Sequence, residues 1–154
     1  MSIKLLCLGK TKQDFIKKGI QEYLKRISLY GNLKIKILAD EKLTAKKGII
    51  QIKKKEAETI FKEIDDSDYV IALDEHGKQL TSVQFAKLLK EKLNYHNLVF
   101  VVGGVYGLAR TVLNRANMVM SFSNLTFTHQ MARLIFLEQL YRAYTIINNK
   151  KYHY

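Results

Sequence analysis

Short, mainly apolar runs alternate along this chain with longer segments in which apolar residues recur every three or four positions. The short runs are residues 3–8, 33–38, 69–73, 98–102 and 118–122, and the helical periodicity occupies residues 14–27, 49–64, 81–93, 109–116 and 129–148. Apolar runs of this length are typical of buried strands, and strands that alternate with helices are typical of a parallel sheet. The sequence therefore predicts an α/β fold, with a mainly parallel sheet and helices on both of its faces.

The chain is expected to fold as one domain over residues 1–154. It contains no proline and no low-complexity tract, and no change of composition marks a linker. Its single cysteine, Cys7, lies in a strand-like run and is predicted to be a buried, inert thiol. No apolar run is long enough to span a bilayer, and the apolar start is too short for a signal peptide, so we expect a cytoplasmic protein.

The charge of the chain favours a polyanionic partner. Lysine and arginine total 26 against 14 acidic residues, which gives a formal net charge of +12. Each phosphate that such a protein neutralises releases counterions, so nucleic acid is a natural partner. From Lys92 to Tyr154 the only acidic residue is Glu138, and arginine predominates among the bases there. The run Lys53–Lys55 in the first half is interpreted as a solvated helix face.

Three predicted strand ends form the candidate ligand site, because open parallel sheets bind ligands beyond the carboxyl ends of their strands. They are Leu73–Gly77, Gly103–Gly107 and Ser121–Phe127. Paired glycines after a strand allow close approach of a ligand or a positive φ, although taken alone they more often mark only a tight turn. Neither a dinucleotide-binding nor a P-loop glycine pattern is present. The third loop carries no charge, which suits a neutral purine ring or simply an ordinary loop.

The C-terminal end is aromatic and basic. Tyr152 and His153 lie beyond the last predicted helix, where a packing role is less expected, and Arg142 lies within that helix. Aromatic stacking combined with arginine is a common way to hold an unstacked RNA base. The histidines of the chain lack metal-ligand spacing and there are no paired cysteines, so we expect no metal.

These segments together resemble the family of ribosomal RNA large-subunit methyltransferase H, a group of SPOUT methyltransferases. The resemblance covers nearly the whole chain, and the order and spacing of its short motifs are specific. The motifs are Lys4–Lys10, Glu22–Arg26, Ala72–Asp74, Gly77–Lys78, Val102–Gly104, Gly107–Leu108, Ser121–Ser123, Leu125–Phe127, His129, Arg133, Glu138–Ala143 and Tyr152–His153.

This resemblance implies a SPOUT-type α/β knot, in which the C-terminal segment threads through a loop, contrary to the usual absence of knots. It also implies a homodimer whose RNA site is built from both subunits, and a methyl donor, S-adenosylmethionine, held in the knot. The donor-binding role is carried over to Leu73, Gly103, Gly104, Phe122, Ser123, Asn124, Leu125, Thr126 and Phe127.

The implied reaction is methylation of N3 of a pseudouridine in 23S rRNA, within the large subunit or the assembled ribosome. We expect this basic, aromatic end to be the only titratable cluster beside the donor loops. Our hypothesis therefore gives Arg142 an electrostatic role, His153 a proton-transfer or orienting role, and Tyr152 a stacking role. RNA contacts are predicted for Arg133, Lys150 and Lys151.

Two departures from the family pattern and two alternative functions stay open. Thr128 stands where proline is common, and Tyr154 stands where a basic residue is usual. The chain could be a SPOUT methyltransferase of another ribosomal or transfer RNA base, because fold and donor site would be shared. It could also be a non-catalytic RNA-binding factor in ribosome assembly, which would not bind the donor.

Overall fold

A computed structural model describes all residues, 1–154, and contains five strands and five helices. The strands are β1 (Ile3–Leu8), β2 (Leu33–Leu38), β3 (Tyr69–Gln79), β4 (Leu98–Val102) and β5 (Met118–Ser121). The helices are α1 (Asp14–Ile27), α2 (Ile49–Phe61), α3 (Ser82–Lys92), α4 (Arg110–Arg115) and α5 (His129–Ile147). Strands and helices alternate strictly, as the sequence pattern predicts.

All five strands form one parallel sheet in the order β2-β1-β4-β3-β5. Every residue of β4 is buried, which explains why that run is apolar without interruption. Strand β2 lies at an edge and is accordingly more exposed: Lys34 and Ile37 are exposed, and Lys36 is half-buried. The predicted α/β fold with a parallel sheet is confirmed.

Helices cover both faces of the sheet and divide the core in two. One cluster joins β4 through Phe100 to Phe85 of α3 and Phe136 of α5, with α1 packed against α5. The other joins β4 through Val101 to Ile60 of α2 and Val112 of α4. Since neighbouring strand residues point to opposite faces, a fully apolar strand serves both clusters. None of the helices has the length and apolar character needed to cross a membrane.

Strand β3 is longer than the sequence pattern predicts, because it does not end at Leu73. Leu73 and Lys78 both pair with Met120 of β5, so the residues between them form a bulge. Gly77 closes this bulge against the β5 backbone: a Cβ added to it would lie 2.7 Å from main-chain atoms of Val119 and Met120. Only glycine therefore lets the chain return to the sheet here.

Candidate active site

The three predicted segments converge on a cleft of about 1110 Å³, which lies between the β3 bulge and the loops after β4 and β5. This volume is slightly above the usual range for small-molecule sites, about 300–1,000 Å³. The predicted donor-binding residues that line it are Leu73, Gly103, Gly104, Phe122, Ser123, Leu125, Thr126 and Phe127. Asn124 does not line the cleft, because its side-chain oxygen accepts a hydrogen bond from Gln79 Nε2 at 2.7 Å. The structure thus brings together all but one of the predicted set.

The loop after β4 is a tight turn whose glycines have different roles. Gly107 has φ +78°, and its amide donates to the Gly104 carbonyl at 3.2 Å. A Cβ on Gly103 would lie 2.9 Å from the Gly107 carbonyl carbon. Gly103 is therefore needed for close approach within the loop, and the left-handed conformation falls at Gly107 rather than in the Gly-Gly pair.

The loop after β5 is held by its own uncharged side chains. Ser121 Oγ donates to the Ser123 carbonyl at 2.7 Å, and Ser123 Oγ accepts from the Leu125 amide at 3.0 Å. Thr126 donates to Glu75 of the β3 bulge, which joins two walls of the cleft. Thr128 Oγ1 accepts from the Met131 amide at 3.2 Å and caps α5. Threonine at position 128 thus starts the helix by hydrogen bonding, where proline would do so through its fixed φ.

The floor of the cleft is apolar, and one wall is acidic. Leu73, Val102 and Met120 contribute apolar surface, and the neutral β5 loop adds backbone amides and carbonyls. Asp74 and Glu75 add two carboxylates, and Asp74 Oδ1 accepts from the His76 amide at 2.9 Å. This combination fits a ligand that carries both a flat neutral ring system and positive charge.

Several lining residues were not predicted from the sequence: some come from elements remote in the chain, and two directly follow the predicted third loop. They are Gln13 of the β1–α1 loop, Lys53 of α2, Arg110 of α4, and His129 and Gln130 of α5. Burial, and secondarily the positive charge of Arg133, lower the pKa of His129. His129 is thus neutral at physiological pH and adds no positive charge to the cleft.

The predicted catalytic residues form a second cluster around Glu138, a partner that the sequence reasoning did not assign. Glu138 Oε1 accepts from Arg142 Nη2 at 2.7 Å and from the Tyr152 hydroxyl at 3.1 Å. Arg142 also donates to His153 Nδ1 at 3.3 Å, and its guanidinium lies 4.7 Å from the centroid of the Tyr152 ring. Hydrogen bonding to Glu138 raises the pKa of Arg142, so this side chain stays cationic. Burial, together with bonds to Tyr23 and Glu138, raises the pKa of Tyr152, which is a neutral phenol.

Within one chain this cluster does not lie beside the donor loops, contrary to the sequence-based expectation. Arg142, Tyr152 and His153 are all absent from the cleft lining. His129 lines the cleft at the start of α5, and Arg142 follows it by about 20 Å along the helix axis. Cleft and tail cluster are therefore two separate sites in a single chain.

Arg133 is not an RNA-contacting residue in this chain, which corrects the sequence-based prediction. Its exposed fraction is 1%, and it donates to the Leu8 carbonyl at 2.6 Å and to Thr11 Oγ1 at 3.0 Å. It ties α5 to the end of β1, on the same helix stripe as Phe136 and Leu137. Lys150 and Lys151, by contrast, are exposed at the end of the chain.

The single cysteine, the metal-binding groups and the last residue of the chain also bear on the predicted chemistry. Cys7 is buried, and burial raises its thiol pKa to about 11, so it is not a nucleophile at neutral pH. No group of three histidine, cysteine or carboxylate side chains is arranged to hold a metal ion. Tyr154 is fully exposed beyond the tail cluster.

Comparison with known proteins assigns the family. The model of the family described as predicted SPOUT methyltransferase matches residues 1–153. A protein of Halothermothrix orenii named Ribosomal RNA large subunit methyltransferase H is 41% identical over 99% of both chains. A protein of the same name from Streptococcus equi subsp. zooepidemicus is 46% identical over 99% of both chains.

A solved structure shares the fold at low sequence identity. It is Ribosomal RNA small subunit methyltransferase E from Neisseria gonorrhoeae bound to S-adenosyl methionine, with a TM-score of 0.52 and 10% identity. The match covers 90% of this chain and 64% of that chain. Fold, cleft and full-length similarity agree, and the chain belongs to the SPOUT methyltransferases, in the family of ribosomal RNA large subunit methyltransferase H.

Proposed function

We propose that this chain transfers the methyl group of S-adenosylmethionine to N3 of a pseudouridine in 23S rRNA of the large ribosomal subunit. One observation carries the proposal: an apolar cleft at three strand ends, in a chain whose full-length relatives are named ribosomal RNA large subunit methyltransferase H. The net charge of +12 suits the RNA partner.

The cleft residues fit the donor of this family. S-adenosylmethionine supplies an electrophilic methyl group on a positively charged sulfur. Leu73, the Gly103–Gly107 turn and the neutral Phe122–Phe127 loop offer apolar surface and backbone groups for a purine ring. Asp74 and Glu75 place two carboxylates in the same cleft, beside which the positively charged sulfur is favoured, and Lys53 and Arg110 add two cations to the lining.

The acceptor nitrogen must lose a weakly acidic proton before it forms the new bond to the methyl carbon, while the carbon–sulfur bond breaks. In our proposal the cationic side chain of Arg142 stabilises the deprotonated ring, and His153 takes or orients the proton. Tyr152 is not the base, because its hydroxyl donates to Glu138 and its pKa is raised. Its ring is held by Arg142 and by an edge contact with Tyr141, which orients it for stacking against a base.

The separation of cleft and tail cluster supports a homodimer, in which the cleft of one chain is completed by the tail of a second copy. Two variants test this: Gly103→Asp, which blocks the cleft, and Arg142→Ala, which removes the cation of the tail. Each variant alone is expected to be inactive. Subunit exchange between them should restore about a quarter of the wild-type activity, because half of the dimers regain one intact site. No recovery despite proven exchange would mean that cleft and tail act within one chain.

The knot is likewise a proposal for this chain. It is supported by family membership and by the packing of α5 against both α1 and α3, which holds the C-terminal segment inside the fold. A chain trace in an experimental electron-density map tests it, and an unthreaded C-terminal segment would contradict it.

Two measurements test the activity itself. Mass spectrometry of 23S rRNA from a deletion strain should show loss of a single methylpseudouridine, restored by the wild-type gene. His153→Ala and Arg142→Ala should each slow transfer far more than they weaken donor binding, which calorimetry measures separately. Loss of a methyl group from another ribosomal or transfer RNA base would redirect the proposal to a different substrate. No heat with the donor at millimolar concentration would favour a non-catalytic assembly factor.

A further inference from the structure

Three cations from three different elements lie in or beside the cleft. Lys53 of α2 and Arg110 of α4 both line it. Lys12 of the β1–α1 loop lies beside it, since its amide donates to the side chain of the cleft residue Gln130 at 3.0 Å. The three residues are remote in sequence, so folding gathers them, unlike a charge run on one helix face.

None of these side chains forms an ion pair or a side-chain hydrogen bond within the protein. The acidic residues near the cleft interact with groups other than these three cations. Glu41 pairs with Lys47 at 2.8 Å, and the charge of Asp40 acts on the buried Arg133. Asp74 and Glu75 belong to the β3 bulge, where they interact with His76 and Thr126. No side chain of the protein pairs with these three cations, so they are available to a ligand from solution.

We infer that Lys12, Lys53 and Arg110 form a rim that binds phosphates of the RNA strand flanking the target nucleotide. This inference rests on the proposed function and adds an RNA-contacting surface to it. It also changes the interpretation of Lys53, which the sequence pattern placed on a solvated helix face.

Phosphates are the ligand that this arrangement fits best. The cations are spread over three elements, and contacts to successive phosphates of an RNA strand require such a spread. A single carboxylate would instead need two cations that converge on one point. Both lysine and arginine contact phosphate oxygens, and such contacts position the nucleic acid without reading its sequence. The rim would hold the strand while the tail cluster acts on the target base.

The test compares the triple variant Lys12→Ala/Lys53→Ala/Arg110→Ala with a control of equal charge change, Lys18→Ala/Lys34→Ala/Lys90→Ala. The control lysines are exposed and also outside all ion pairs. KM for ribosomes that lack the modification is measured at several KCl concentrations. Each lost phosphate contact to single-stranded RNA reduces the magnitude of the slope of log affinity against log salt concentration by about 0.7. The loss of three contacts in the rim variant should therefore reduce the magnitude of this slope by about 2. Its KM near 0.1 M salt should rise about 100-fold.

The control variant should keep the wild-type slope. A second control preserves the charge of the rim and should also show the wild-type slope; it is Lys12→Arg/Lys53→Arg/Arg110→Lys. Calorimetry with S-adenosylmethionine alone should give the wild-type affinity in all variants. A rim variant whose slope and KM match those of the control would overturn the inference, as would a rim variant that loses donor affinity. A wild-type protein inactive on these ribosomes would instead contradict the proposed function.

Discussion

The bulge that ends at Gly77 offers a sharp test of how the fold builds the cleft. Replacing Gly77 by alanine adds one methyl group at a position where three main-chain atoms of Val119 and Met120 lie 2.7 Å away. Backbone atoms cannot move aside as a flexible side chain can. To reach an ordinary contact of about 3.4 Å, the bulge and β5 must separate by about 0.7 Å. This movement would displace Asp74–His76 relative to the β5 loop.

The expected loss follows from this forced separation. Overpacking of a closely packed site costs about 1–3 kcal/mol, and contact with backbone places Gly77→Ala at the upper end, about 3 kcal/mol. In a chain of 154 residues this lowers the melting temperature by about 6–12 °C. Donor affinity should fall by at least about tenfold, since the bulge and the β5 loop form two walls of the cleft.

Differential scanning calorimetry measures the stability, and isothermal titration with S-adenosylmethionine measures the affinity. The matched control is Gly48→Ala at the N-cap of α2, where an added Cβ meets no atom within 4 Å. That variant should change the free energy of unfolding by less than about 1 kcal/mol and leave donor affinity unchanged. A Gly77→Ala protein with wild-type melting temperature and affinity would refute the proposed role of the bulge.

Three further variants test other parts of the structure. Arg133→Ala should destabilise the fold by about 3 kcal/mol in urea denaturation, because it leaves a buried cavity and an unpaired Leu8 carbonyl; wild-type stability would argue against its anchoring role. Glu138→Gln should slow methyl transfer about tenfold without changing donor affinity, as the tail loses its charged acceptor; unchanged turnover would exclude Glu138 as a positioning residue. Burial raises the pKa of Glu56 above its unfolded value, so its contribution to stability declines as pH rises. Glu56→Gln should therefore raise the melting temperature at neutral pH, and this gain should fade below about pH 4; a gain independent of pH would contradict the assignment.

Much of the fold could be predicted from local patterns. Each buried strand is a short apolar run, and the start of α3 follows from the spacing of Thr81 and Gln84, whose reciprocal hydrogen bonds form a capping box. The convergence of the strand ends also follows, because parallel strands place their carboxyl ends at one edge. The second half of β3 could not be predicted, since it depends on contact between Gly77 and a strand more than forty residues away.

The two errors about the site have identifiable sources. Arg133 was assigned to RNA from its charge, yet it shares a helical stripe with Phe136, Leu137 and Leu140, which are all buried. That spacing indicates an inward side chain. The separation of tail and cleft follows from the length of α5, because a helix of 19 residues is about 28 Å long. Lys53 and Arg110 gave no local signal, since only the packing of α2 and α4 brings them to the cleft.

A crystal of the protein soaked in S-adenosylmethionine tests the central claim most directly. We predict electron density for the donor between Leu73, the Gly103–Gly107 turn and the Phe122–Phe127 loop, with no density for it elsewhere. Density at another surface, or an empty cleft at a donor concentration that saturates the protein in solution, would contradict the assignment of this cleft as the methyl-donor site.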